Sequence, residues 1–276
     1  MSLVSPAELL AESPTPAVAA FNVILLEQLE AFVAAAEHAS TGLILQLSQN
    51  AVRYHGSLAP LGAAMLAAAR QADVPIAVQL DHADDVELIQ EAVSFGFTSI
   101  MFDGSKLEVT ENVARTASLA AVLHRSGVWV EAELGEIGGK DGVHSATART
   151  DPSEAAAFVE ATGVDGLAVA VGSSHAMTEQ SASLDLGLVA ALRESVPVPL
   201  VLHGSSGVGD ALVREACRAG IRKVNVGTRF NVVFTTAVRD ALAADPTVVD
   251  PRRYLRVGRD AVASEATRIL ATLGTS

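Results

Sequence analysis

Eight apolar, strand-like runs alternating strictly with eight helix-like patterns predict an α/β fold: a (β/α)8 TIM barrel with extra N- and C-terminal helices. Two further observations select this arrangement. The runs are almost continuously β-branched, as expected of parallel strands covered on both faces, and half of the 276 residues are apolar, enough for one large core. An open doubly wound sheet would want a glycine-rich turn after its first strand, and the segment FNVILLE contains no glycine. One barrel domain is expected over residues 1–276.

The elements follow in order. A short helix is expected at Pro6–Glu12, ahead of the barrel proper. The strands are AAFNVI (19–24), GLILQL (42–47), IAVQL (76–80), SIMFDG (99–104), WVEAELG (129–135), GLAVAVG (166–172), LVLHGS (200–205) and KVNVGT (223–228). Each is short, apolar and β-branched, with turn residues at its end. Helical patterns rich in Ala, Leu and Glu succeed them at 26–38, 57–71, 85–94, 109–126, 153–162, 185–195, 209–219 and 229–244. A last helix, roughly Gly258–Leu273, follows DPRRYL.

Composition narrows the function classes. A net charge of −13 and 4% aromatics argue against nucleic acid, which needs basic surface and stacking platforms. The hydrophobic segments are strand-length or alanine-rich helices broken by charge, so no membrane span or secretion signal is read, and a cytoplasmic location is the default. The single cysteine, Cys217, lies in the helical pattern DALVREACRAG; it excludes an intramolecular disulfide and fits a reducing compartment.

In a barrel the chemistry belongs to the loops at the strand C-termini. Three histidines fall there: His82 after IAVQLD, His175 after GLAVAVGSS and His203 in LVLHGSSG. Lone pairs converging from separate strand ends are what a transition metal requires; a lone histidine at a strand end is more often a satisfied polar residue, and it is the three together that point to a metal. Asp81, Asp103, Glu131 and Glu133 stand at neighbouring strand ends. HGSSGVG after the seventh strand and Asn225-Val226-Gly227-Thr228 at the end of the eighth offer backbone N–H groups that can cradle a phosphate, the usual site of this fold. Glu131 and Lys223 are expected to face the barrel interior as a structural ion pair. His38 and His124 fit helix C-termini, and His55 and His144 fit loops. Asp81 and His82 pose a difficulty, because adjacent strand residues point to opposite sides; both serve the mouth only if the strand ends near Leu80.

Taken together, LDH, EAELGEIGG, TGVDGLAVAVGSSH, LVLHGSSG, KVNVGT and DPRRYL make the chain resemble the class II, zinc-dependent ketose-bisphosphate aldolases, the fructose- and tagatose-bisphosphate aldolases. The resemblance runs from AFNV to DPRRYL. It implies reversible cleavage of a phosphorylated ketose, a small-molecule substrate of carbohydrate metabolism and glycolysis, to dihydroxyacetone phosphate and an aldehyde. It further implies Zn²⁺ on His82, His175 and His203, with Glu133 as an alternative metal group and Asp103 orienting the site or holding a second cation. Asp81 is implied as the acid/base at the C4 hydroxyl. Gly204, Ser205, Ser206, Asn225, Val226, Gly227 and Thr228 are implied to hold the phosphate, with Gly204 and Ser206 near a monovalent cation (Na⁺ or K⁺). Asn22, Ser48 and Ala176 match positions near the pocket, and a homodimer or homotetramer is implied.

Four departures from the family pattern stand out. Ala176-Met177-Thr178 follows His175 where the family has a glycine and then a tyrosine. The loop Gly138-Gly139-Lys140-Asp141-Gly142 is one residue shorter than the family's and lacks its glutamate, leaving Asp141 to act as the C1 base, with Lys140 and His144 as fallbacks. Arg229 follows the NVGT turn and places a cation beside the expected phosphate. Ile24-Leu25 replaces a second asparagine. Two other readings stand beside the resemblance. One is a non-catalytic or differently catalytic metal- or sugar-phosphate-binding barrel. The other is a Schiff-base aldolase, for which Lys223 is the sole strand lysine.

Overall fold

Strands β1 (Val18–Asn22), β2 (Leu43–Ser48), β3 (Ile76–Ala83), β4 (Ser99–Phe102), β5 (Trp129–Glu133), β6 (Gly166–Ala168), β7 (Leu200–Leu202) and β8 (Ile221–Val226) pair in parallel in chain order. β8 returns to β1, with Val18 opposite Lys223 and Ala20 opposite Asn225, and the barrel is closed. The computed structural model describes residues 2–13, 15–134, 149–174 and 177–274. Among them are helices α1 (Pro6–Glu12), α2 (Leu26–His38), α3 (Gln49–His55), α4 (Ala59–Gln71), α5 (Val86–Phe95), α6 (Val109–Arg125), α7 (Pro152–Thr162), α8 (Leu186–Ser195), α9 (Asp210–Ala219), α10 (Thr228–Ala244) and α11 (Pro251–Gly274). None of these helices is long and apolar enough to cross a membrane.

The predicted (β/α)8 order is the observed one, and local chemistry accounts for its punctuation. Asp85, Asp151 and Asp185 cap α5, α7 and α8 by accepting from N–H groups of the first turn, and Gly56, Gly96 and Gly163 close α3, α5 and α7 in the left-handed region. Several boundaries differ from expectation. The segment between β2 and the helix at 59–71 is itself helical: Ser48 accepts from the Ala51 N–H to start α3, and Gly56 stops it. The last helix begins at Pro251, not Gly258, because DPRRYL is its first turn and proline suits that position. β6 and β7 are three residues each, so the expected runs 166–172 and 200–205 leave the sheet early and their ends become loop.

Two buried layers meet at the sheet. Outward-facing strand residues such as Phe21, Leu45, Val78, Val130 and Leu202 pack beneath the helices in one large core. Inward-facing residues alternate with them at i, i+2. At the N-terminal end the interior is apolar: Val18, Ala20, Ile44, Ala77 and Trp129 pack with Leu9 and Leu10 of α1, which plugs the barrel floor. Gly166 is required there, since a Cβ would collide with the Trp129 ring. Toward the C-terminal end the interior turns polar, with Gln46, Gln79, Glu131, Lys223 and Asn225 all buried.

Cys217 sits on the buried face of α9, and burial pushes its thiol up to about 12 against the weaker pull of Arg222. The thiolate is the nucleophile, so native protein is expected to resist iodoacetamide at mildly alkaline pH and to react fully once denatured. Mass spectrometry of the alkylated Cys217 peptide checks this. Rapid labelling of native protein would contradict the burial.

Candidate active site at the barrel mouth

The mouth holds a cavity of about 310 Å³ lined by residues from five strand ends, among them Asn22, Ser48, Asp81, His82, His203, Gly204, Ser206, Asn225, Gly227 and Thr228. A cavity of this size suits a small phosphorylated metabolite. Asp81 and His82 both line it, although β3 does not end at Leu80. The strand runs on to Ala83, and His82 adopts φ +48 with a one-residue shift in the β3–β4 register between Leu80 and Ala83. This bulge cancels the alternation and turns two consecutive side chains to the same side. A positive φ on a non-glycine residue is costly and is met chiefly where function demands it.

Asp81 is buried at the centre of a hydrogen-bonded chain. Asn22 Nδ2 donates to its Oδ2 (2.9 Å) and Gln46 Nε2 to its Oδ1 (3.2 Å). Gln46 Nε2 also donates to Gln79 Oε1 at 3.0 Å, and Gln79 Nε2 donates to Glu131 Oε2 at 3.1 Å. Glu131 is the hub beneath the site: Lys223 Nζ lies 2.7 Å from Oε2, and His203 Nε2 lies 2.9 Å from Oε1, all three side chains fully buried. Burial alone would raise the Glu131 pKa, but the Lys223 ammonium, with help from His203, outweighs it and holds the carboxyl at about 2. The expected Glu131–Lys223 pair is therefore present. Lys223 is locked into it below the pocket and is absent from the cavity lining, which removes the support for a Schiff base. Lys223→Met would leave a buried carboxylate short of its cation. We expect a loss of about 3–5 kcal/mol in urea unfolding, partly restored by adding Glu131→Gln. An unchanged midpoint would show that the pair does not stabilise the barrel.

His82 and His203 face one another. The outer nitrogen of each ring meets a carboxylate: His82 Nδ1 is 2.9 Å from Asp103 Oδ2, and His203 Nε2 is 2.9 Å from Glu131 Oε1. A proton on each of those nitrogens suits its carboxylate, which can only accept, and turns the inner nitrogens, His82 Nε2 and His203 Nδ1, toward one another 3.1 Å apart; Asn225 Nδ2 also lies 3.0 Å from His203 Nε2. Burial, opposed in part by Glu131, pushes the His203 pKa down and keeps the ring neutral. Two nitrogens bound to one tetrahedral metal such as zinc would be roughly 3.3 Å apart, close to the separation found here. Ligand atoms of His82, Glu133 and His203 all lie within 4.8 Å of one another. The donor set fits a metal, and the carboxylate behind each imidazole is the usual partner of a ligating histidine. Asp103 serves His82 in this way and also accepts from Ser105 Oγ at 2.6 Å; it stands outside the convergent trio.

The loops after β7 and β8 form the far wall. Gly204 has φ +65, and a Cβ there would strike the Ser174 backbone at 2.6 Å, so only glycine lets this turn press against the loop after β6. Ser205 Oγ donates to the Asn225 carbonyl (2.5 Å), and the Arg229 N–H donates to Ser206 Oγ (3.1 Å), tying the two loops together. Ser205 and Val226 are absent from the lining of the mouth and line a small neighbouring cavity instead. Ser48 Oγ is occupied as a helix cap. Arg229 corrects the expectation of a cation beside the phosphate: its guanidinium turns outward to Glu265, 2.6 Å away, and does not line the mouth. Asn50 and Asn231, not singled out from the sequence, also line it. The expected ligand His175, its neighbour Ala176, and Asp141 with Lys140 and His144 lie outside the described residues.

A closed (β/α)8 barrel with a histidine–carboxylate group and a buried, oriented aspartate at its C-terminal mouth defines a class, the barrel enzymes that work through a bound metal. The class-II fructose-bisphosphate aldolase family matches residues 9–276. Fructose-bisphosphate aldolase of Geobacillus stearothermophilus is 38% identical over 282 residues, spanning 100% of this chain and 98% of its own. The crystal structure of the YdjI aldolase of Escherichia coli K12 superposes with a TM-score of 0.86 at 31% identity, covering 99% of this chain and 98% of that one. The chain belongs to the class-II fructose-bisphosphate aldolase family and is an aldolase, a carbon–carbon lyase.

Proposed function

We propose that the protein catalyses reversible aldol cleavage of a ketose bisphosphate of the fructose or tagatose type, giving dihydroxyacetone phosphate and an aldehyde, with zinc as its metal. The observation that carries this reading is the pair of carboxylate-backed imidazoles 3.1 Å apart in the same cavity as Asp81 and the two glycine-containing loops. When bound, the metal supplies Lewis acidity toward the ketone and the negative charge that develops on its oxygen.

The chain supplies the rest. Asp81, with both oxygens fixed by Asn22 and Gln46, takes the C4 hydroxyl proton in cleavage and returns it in condensation. Glu131 and Asp103 hold His203 and His82 in the ligating tautomer. Backbone N–H groups around Gly204–Ser206 and Val226–Thr228 take the substrate phosphate, with Ala176 near it, and His175 is the third metal ligand beside His82 and His203. Asp141 is the base at C1. A monovalent cation near Gly204 and Ser206, assembly as a homodimer or homotetramer, and a cytoplasmic location belong to the same reading.

A panel of ketose bisphosphates assayed with zinc-loaded protein tests the proposal, with detritiation of labelled dihydroxyacetone phosphate as the second readout. We expect turnover on at least one member and strong suppression of exchange in Asp141→Ala, with Asp141→Glu active. Absence of turnover across the panel would refute the reaction. Equal exchange in wild type and Asp141→Ala would move the base elsewhere.

A further inference from the structure

We infer that Glu265, on the C-terminal helix α11, is a positioning residue for the phosphate-holding loops and sets affinity for the phosphate end of the substrate; this rests on the reaction proposed above. Glu265 is mostly buried and holds two arginines. Its Oε1 accepts from Arg229 Nε at 2.6 Å and from Arg268 Nη2 at 2.9 Å, and its Oε2 accepts from Arg268 Nε at 2.9 Å. Arg268 Nη1 also meets Asp210 Oδ2. The endpoints of this network give it its meaning. Arg229 is the second residue of α10, directly after Thr228 at the mouth, and its N–H binds Ser206. Asp210 opens α9, three residues after Gly207 of the turn that carries Gly204–Gly207. One carboxylate on α11 thus ties down the starts of both helices that follow the two loops.

Two physical points favour positioning over simple stability. Arg229 and Arg268 are 33% and 39% exposed, and ion pairs that open to water contribute little to folding. Meanwhile a cavity of about 30 Å³ lies between the loops and α11, lined by Ser205, Ser206, Val226, Arg229, Arg268 and Ile269. Close packing does not fully back the loops there, so their placement relies on the bidentate Arg268–Glu265 contact and the Arg229–Glu265 bond. The backbone N–H groups proposed to take the phosphate must hold their spacing for it to be bound well, and small misplacements are costly.

The test compares the metal-loaded full chain with Glu265→Ala, Glu265→Gln and Arg229→Ala. It measures kcat and KM on the active ketose bisphosphate, the dissociation constant of inorganic phosphate by calorimetry, and the melting temperature. For Glu265→Ala we expect KM and the phosphate dissociation constant to rise roughly 10-fold while kcat stays within about 3-fold. Glu265→Gln, which retains an acceptor oxygen, should recover most of the loss. Arg229→Ala, which keeps its N–H to Ser206, should shift affinity in the same direction by less. If Glu265→Ala does not fold, Arg229→Ala and Glu265→Gln decide. Unchanged KM and phosphate affinity, or a fall in kcat alone, would overturn the inference. Wild-type protein that binds phosphate yet cleaves no ketose bisphosphate would refute the reaction, and the phosphate arm would still judge Glu265.

Discussion

Asp81→Ala is expected to lower kcat for carbon–carbon cleavage by roughly 10²–10⁴-fold, the span of a positioned general acid–base group, with the metal content unchanged. The geometry makes the substitution clean. Asp81 accepts from Asn22 and Gln46, and when it is removed Gln46 Nε2 keeps its bond to Gln79 Oε1. The buried column down to Glu131 and His203 is therefore left in place, and folding should change little. Asn22 faces the open cavity, where water replaces the lost acceptor. Steady-state kinetics, metal analysis and phosphate binding on the same preparation separate the possibilities. A variant with wild-type kcat would remove Asp81 from proton transfer. A variant that loses its metal would place Asp81 among the ligands instead.

The barrel was legible because its cause is local. Continuous β-branched runs separated by Ala/Leu/Glu segments have few other solutions, and the helices at Leu26–His38 and Pro6–Glu12 fall where the sequence places them. The mouth was legible in part, since barrel strand ends are where such side chains gather. What escaped has tertiary causes. No glycine or asparagine marks the bulge at His82; it arises from the shift between β3 and β4, and only the closed sheet reveals that Asp81 and His82 point the same way. Gln46 and Gln79 were not singled out from the sequence; only closure of the barrel stacks them between Asp81 and Glu131. Arg229 is one residue from Thr228, but the first turn of α10 sends its side chain toward Glu265, 36 residues further along the chain, and away from the substrate. Proximity in sequence gave the wrong neighbour there.

His203→Ala should abolish stoichiometric metal binding and, with it, aldol turnover, while the barrel still folds. His203 supplies one of two inner lone pairs 3.1 Å apart, so its loss leaves His82 and Glu133 as the remaining members of the described trio. The fold should survive because the other oxygen of Glu131 keeps Lys223 and Gln79 when the imidazole leaves. Asp103→Ala provides the graded comparison. It leaves both ligating nitrogens present but frees the outer nitrogen of His82, and loss of such a partner usually weakens metal binding by roughly 10–100-fold. Competition against a chromophoric chelator measures both variants, and chelation of the wild type should remove activity that added metal restores. The order wild type, Asp103→Ala, His203→Ala is required. If Asp103→Ala binds metal as tightly as wild type, the carboxylate contact to His82 does not set its tautomer. If His203→Ala retains one metal per chain and full turnover, the metal does not sit between these two rings, and the proposed chemistry at this mouth fails with it.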